Sequence, residues 1–204
     1  MNIANILEAE HSELYDEMLK DNIENRILVL NDNVTDSVIE DYILYIFKWN
    51  KEDENIPIEK RKPITLYINS CGGDAFAGLY FAEVCAISKT PIRSIAMSLV
   101  ASASFYIYIA CKERIAFKNS VLLMHDGSIE ISNSSRKASD TMKFIELMEQ
   151  RTKDFVLSHT TMDEKFYDDH FDQEFYMYAE KAKELGAVDK IIGIDEDIDI
   201  NYFL

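Results

Sequence analysis

Positive charge is scarce in this chain. Its 204 residues include 21 lysines and arginines against 37 aspartates and glutamates, a formal net charge of −16. Nucleic acids and anionic membranes are gripped through basic patches, so this balance argues against both as partners. Cysteine is sparse too: Cys71, Cys85 and Cys111 have no metal-ligand spacing and leave an odd count, which points away from a metal and toward a reducing cytoplasm. The first eight residues have neither the basic start nor the apolar core of a secretory leader. The longest apolar run, Leu99 to Cys111, is too short to span a bilayer and carries two serines. Internal repeats, low-complexity segments and a second domain are all missing. What remains, at 48% apolar content, is enough to bury one full-sized core, and the expectation is a soluble cytoplasmic protein of one domain.

Only six glycines are present, and two of them are adjacent. Ile64, Leu66 and Ile68 alternate with Thr65, Tyr67 and Asn69, which predicts a strand. It runs into SCGGD at residues 70–74, followed by a helix through Leu79, Ala82, Val84 and Cys85 and by a new strand after Pro91, a βαβ unit. A Gly pair at a strand-to-helix corner leaves backbone N–H groups bare of side chains, able to bind an anion or an oxyanion. The Lys-Ser/Thr ending of a phosphate loop is lacking.

The stretch from Pro91 to Gly127 reads as strand, small-residue corner, buried helix and two short strands. Ile92, Ile95 and Met97 form the first strand, residues 98–101 turn it, and a helix from Ala103 to Cys111 is apolar on nearly every side. Ser102 therefore sits at the start of a buried helix, among unpaired N–H groups and the positive end of the helix dipole, conditions that stabilise an attacking serine and its oxyanion. Residues 121–124 deliver His125 at a strand end, and Asp126 and Gly127 turn the chain. Taken singly, Ser102 reads as a helix cap and His125 as a satisfied, partly buried histidine; it is the combination with the Gly corner that points to nucleophilic chemistry. His11, His159 and His170 read as surface residues.

Elsewhere, residues 1–25 form an acidic helical lead-in with Ile3, Leu7, Leu14 and Met18 on one face and Ile6 and Leu19 beside them. A short strand covers Arg26 to Leu30. Ser37 and Glu40 have capping-box spacing before an amphipathic helix whose face is Val38, Ile39, Tyr42, Ile43, Ile46 and Phe47. Lys51 to Lys62 reads as a charged surface loop. Ser128 to Ile131 reads as an extended edge, and Ser134 to about Thr160 as a long helix with Phe144, Leu147, Met148 and Phe155 on one face, more apolar than a monomer needs. An acidic connection (Asp163 to Asp172), a short helix ending at Gly186 and a closing strand (Val188 to Ile194) complete the chain.

Four segments together resemble the proteolytic subunit of the ATP-dependent Clp protease: YINSCGG at 67–73 with Ala77-Gly78, Ala101-Ser102-Ala103, Leu123 to His125, and AEKAKELGAVD at 179–189. Their order and separations match across residues 26 to 193. The resemblance implies an α/β fold of the crotonase/ClpP-like type, a superhelix of repeated ββα units with a protruding handle helix. It divides the chain into the N-terminal segment 1–25, a peptidase domain at 26–194 with the handle at about 127–160, and an acidic tail at 195–204. By the same resemblance Ser102 is the nucleophile, His125 the general base, and the N–H groups of Gly73 and Ala103 the oxyanion hole, with no metal or cofactor. The third catalytic position falls on Glu174, with Asp172 as the alternative if the strand register slips. An extended polypeptide substrate would lie along Gly72, Asp74, Asp126 and Gly127, pairing with the edge at residues 126–131. Homo-oligomeric heptameric rings, stacked as a tetradecamer, and an AAA+ ATPase unfoldase are the implied partners.

This chain departs from the family pattern at several places. Cys71 stands where proline is usual, and reads as a buried filler rather than as a nucleophile itself; Ser104 replaces a glycine; Asp126-Gly127 follows the histidine; and Glu174 replaces an aspartate. These departures keep open a catalytically silent structural subunit of a Clp-like ring. The shared fold also allows an acyl-CoA enzyme of the crotonase type, against which the Ser102/His125 pairing speaks.

Overall fold

The computed structural model describes residues 3–128, 132 and 134–195, with side chains from residue 14 onward. The side chains of Ile3, Ile6 and Leu7 on the expected face, the edge at 129–131 and the tail beyond 195 lie outside what the structure describes.

A seven-stranded sheet organises the chain. Helix α1 (Ile3–Glu24) leads into β1 (Ile27–Leu30); a π-turn (Ile39–Ile43) opens α2 (Leu44–Glu52); β2 (Ile64–Ser70), α3 (Ala75–Ile87), β3 (Ile92–Ala101) and α4 (Ala103–Ile109) follow. Then come β4 (Glu113–Phe117), β5 (Val121–Met124), α5 (Ser135–His159), α6 (Glu164–His170), β6 (Phe175–Tyr178), α7 (Ala179–Glu184) and β7 (Lys190–Ile192). Strand order is β1-β2-β3-β4-β7, all parallel, with β5 on the far half of β3 and β6 antiparallel on β5.

The fork in β3 positions the site. Residues Arg93–Ala96 pair with β4, whereas Leu99–Ala101 pair with β5. The expected corner at residues 98–101 is thus strand, and the chain bends by changing partners rather than by turning. Against β2 the register jumps between Ile68↔Ala96 and Ser70↔Val100. The Asn69 side chain fills that gap by accepting the Leu99 N–H at 3.2 Å and donating to Asn31 Oδ1 at 2.7 Å. Along β2 the expected alternation is observed, with Ile64, Leu66 and Ile68 fully buried. Helix α4 is buried at every position, as its composition demands.

Several local expectations are corrected. No side chain caps the π-turn; Ser37 instead donates its N–H to Thr35 Oγ1, so the capping box does not form. The wider turn shifts the buried face to Val38, Ile43, Ile46 and Trp49, leaving Ile39 and Phe47 exposed. The supposed surface loop after α2 holds the buried carboxylate of Asp53, which takes a two-pronged bond from Arg26 (2.6 and 2.9 Å) and a third from Thr90 (2.9 Å). Asp163 caps a helix, α6, where an irregular connection was expected. On α5 the buried residues are Ile145, Thr152 and Val156, while Phe144 and Leu147 face out. His159 and His170 are half-buried, each stacked on a phenylalanine one helical turn earlier and bonded through Nδ1 to that residue's carbonyl.

Candidate active site

Ser102 occupies the joint between β3 and α4 with φ 54° and ψ −125°, a backbone state costing on the order of 1–3 kcal/mol for a residue with a Cβ. Its neighbours hold it there: the Ser102 N–H donates to Leu123 O at 3.1 Å, and its carbonyl accepts from Phe105 N at 2.9 Å. Ser104 braces the same joint. Its buried hydroxyl accepts the Ala101 N–H at 2.9 Å and lies within 2.9 Å of both Ser70 O and Ala101 O, tying the ends of β2 and β3 together. A glycine there would supply none of this.

The Gly corner lies directly against Ser102. A Cβ on Gly72 would stand 2.7 Å from the Ser102 Cβ and 2.9 Å from Ala103 N, at φ +92° where a side chain is strained anyway. Val34 forms a single parallel bridge with Gly73, donating to Gly72 O and accepting from Asp74 N, both at 2.8 Å. In that pattern the N–H of Gly73 itself points away from Val34. The N–H of Ala103, at the first position of α4, has no intrahelical acceptor. Asp74 is the N-cap of α3, its Oδ1 accepting Ala77 N at 2.8 Å. Cys71 is exposed rather than buried, its thiol donating to Asn33 Oδ1 at 3.0 Å.

His125 follows β5 and Glu174 precedes β6. Met124 pairs with Phe175 in the antiparallel ladder, so His125 and Glu174 come one rung later, and Nδ1 lies 2.9 Å from Oε1. An ionised carboxylate only accepts, so Nδ1 is the donor in this contact. Among the described residues no hydrogen bond joins the Ser102 hydroxyl to His125. Asp172 is exposed, and Asp126 donates its N–H to Phe171 O at 2.7 Å. A Cβ on Gly127 would meet only open space. Near Asp126, the buried phenols of Tyr106 and Tyr167 are pushed to higher pKa, chiefly by burial. Among the described residues no group of three His, Cys, Asp or Glu side chains is arranged to hold a metal, and no helix is long and apolar enough to cross a membrane.

A forked parallel sheet that brings a strained serine, a glycine corner and a histidine–carboxylate pair to one end defines a ClpP-like α/β fold. The Clp protease family model matches residues 8–195, and the chain belongs to that family. It is 32% identical over 139 residues to ATP-dependent Clp protease proteolytic subunit 2 of Treponema denticola, covering 67% of this chain and 70% of that one. It is 29% identical over 175 residues to proteolytic subunit 3 from a Synechococcus strain, covering 82% of each. Among solved structures, a ClpP1 mutant from Listeria monocytogenes superposes with a TM-score of 0.73 at 21% identity, over 85% of this chain and 95% of that one.

Proposed function

We propose that the chain is a serine endopeptidase that hydrolyses unfolded polypeptides or short peptides. The observation that carries this reading is the His125–Glu174 contact, made beside a serine whose backbone is held in a strained state. Ser102 Oγ attacks the scissile carbonyl carbon while Nε2 of His125 takes its proton. The Gly73 and Ala103 N–H groups receive the oxyanion, and Glu174 orients the imidazole and stabilises its cation. His125 then hands the proton to the departing amine. Water, deprotonated by His125, attacks the acyl ester and releases the second product and Ser102. The substrate lies extended along Gly72, Asp74, Asp126 and Gly127. Membership of the Clp protease family supports ring assembly in heptamers, face-to-face stacking, a Clp ATPase partner and a cytoplasmic setting.

The test is intact-mass spectrometry after incubation with a fluorophosphonate. A single adduct on the wild type that vanishes in Ser102→Ala supports the reading; no adduct on a protein that assembles overturns it. The second reading, a silent structural subunit, draws on the missing Ser102–His125 hydrogen bond and on the exposure of Glu174, whose side chain is 59% accessible. Catalytic hydrogen bonds often tighten only once substrate is bound, so the missing bond is compatible with the first reading as well.

A further inference from the structure

Helices α3 and α4 follow the parallel strands β2 and β3 and therefore run side by side in the same direction. They cross closely near their starts, where a Cβ on Gly78 would stand 2.7 Å from the Ala103 Cβ. From that crossing, Gly78, Ala82 and Cys85 recur along one face of α3, and Ala103, Ile107 and Cys111 along one face of α4. Cys111 lies just past the end of α4 but keeps to its face, donating its N–H to Tyr108 O at 3.3 Å and its thiol to Ile107 O at 3.4 Å. The two stripes thus meet again at their far ends, where the Cys85 and Cys111 side chains interact directly. The pair is 4% and 5% exposed and lies against a cleft of about 500 Å³ that both cysteines line. Lys89, Lys112, Arg114 and His159 line it too, and among the described residues no aspartate or glutamate does. In a chain of net charge −16, this cleft is a place where a small anion can approach.

We infer that Cys85 and Cys111 are a modification site, two thiols that an anionic low-molecular-weight disulfide entering this cleft converts into a reversible internal disulfide. One cysteine, as its thiolate, attacks a sulfur of the small disulfide; the S–S bond breaks, a mixed disulfide forms and a first small thiolate leaves and takes up a proton. The second cysteine loses its proton to solvent and attacks its neighbour's sulfur, forming the Cys85–Cys111 bond and expelling the second small thiol. The two cysteines are oxidised by two electrons and the small disulfide is reduced to two thiols. Burial pushes the Cys85 thiol up, so its thiolate is scarce and the exchange is slow. Disulfides of this kind in a reducing compartment are transient and redox-sensing rather than structural. The bond closes β3, Ser102 and α4 into one covalent loop and joins the far ends of the two helices whose starts carry the Gly corner and Ala103. The inference holds whether or not Ser102 is a nucleophile.

The experiment incubates the full-length wild type with glutathione disulfide at mildly alkaline pH and maps its cysteines by mass spectrometry without reduction. Cys71, which is exposed, takes up a glutathione adduct and shows that the reagent is active. The peptides of Cys85 and Cys111 are expected to appear as one cross-linked pair, lighter by about 2 Da for the two hydrogens lost. Dithiothreitol should separate them, and Cys85→Ala or Cys111→Ala should abolish the link. Near-UV circular dichroism on the same samples shows that the linked protein is folded. Cys85 and Cys111 recovered as free thiols while Cys71 is fully modified would overturn the inference. So would a link that forms only in urea, one that runs to Cys71, or one that joins two copies in a mixture of isotope-labelled and unlabelled protein.

Discussion

His125 and Glu174 stand opposite one another although 49 residues separate them in the chain. The β5–β6 ladder acts as the ruler: Val121 faces Tyr178, Met124 faces Phe175, and the next rung is the imidazole and the carboxylate. Glu174 is therefore brought to His125 by strand register, not by proximity in sequence. Asp172 falls beyond the point where Asp126 turns to bond Phe171 O, and it is exposed.

Glu174→Gln is expected to slow acylation of Ser102 by about a hundredfold or more, because an amide cannot hold the same imidazole tautomer or stabilise its cation. Stability should move by no more than about 0.5 kcal/mol, since the side chain is exposed. Asp172→Asn should leave acylation within about twofold, the size of effect normal for an exposed residue remote from the chemistry. The rate of fluorophosphonate labelling reads both; a large loss with Asp172→Asn and none with Glu174→Gln would reverse the assignment.

Gly78 offers a prediction with an inverted sign. Replacing a helix-interior glycine by alanine ordinarily stabilises by about 0.5–1 kcal/mol. Here the added Cβ would sit 2.7 Å from the Ala103 Cβ and 3.2 Å from the Ala103 carbonyl oxygen, at the crossing of α3 and α4. Gly78→Ala is expected to destabilise by about 1–3 kcal/mol, the cost of overpacking, and to lower Ser102 labelling because Ala103 must shift. Urea unfolding checks the first effect, and a gain in stability would refute the close crossing.

Legibility followed the range of the interaction. Ile64, Leu66 and Ile68 announce β2 because a half-buried strand must alternate, and α4 announces itself because a helix apolar all round has nowhere to go but inside. Ser102 and His125 stand out by motif, and Glu174 by its position in the family pattern with Asp172 as the alternative. What escaped were features set by distant partners. Strand β3 continues through residues 98–101 because β5 arrives to pair with it, which no local pattern announces. The π-turn rotates α2 by one residue relative to an ordinary helix, so a regular 3–4 spacing assigned Ile39 and Phe47 to the wrong side. Asp53 looked like one more charge in a charged loop until Arg26, 27 residues earlier, closed on it. The acidic run around α6 hid a cap: Asp163 accepts the Phe166 N–H at 2.7 Å.

The Arg26–Asp53 pair ties the start of β1 to the end of α2. The hydrogen bond from Arg26 holds the Asp53 carboxyl below the usual carboxylate range; Thr90 assists, while burial opposes. A pKa depressed by folding contributes stability in full above the unfolded value of about 4, and that contribution fades as pH falls through the folded value. Asp53→Asn is expected to cost about 3 kcal/mol at pH 7, since it strips a largely buried guanidinium of its two-pronged partner and leaves only the longer, half-exposed contact with Glu52 at 3.7 Å. The gap between wild type and variant should narrow in urea titrations below about pH 4 and stay flat from pH 5 to 8. A gap that widened on acidification would contradict the ion pair.

Tyr167 is 2% exposed, and among the described residues its hydroxyl finds no hydrogen-bond partner. The ring stacks on Phe171 with centroids 4.7 Å apart, so the aromatic body is well used while the oxygen is not. Leaving a buried hydroxyl unsatisfied costs on the order of 1–3 kcal/mol, and removing it leaves the packing intact. Tyr167→Phe is therefore expected to raise stability by about 1 kcal/mol, measured by urea unfolding, a direction opposite to most core substitutions. The Ser102 labelling rate should not change, because the helix carrying Tyr167 supplies none of the reacting groups. Destabilisation by a similar amount would mean that the hydroxyl is satisfied in solution, by water or by Asp126 drawing close, and that the floor beside His125 is wetter than its packing implies.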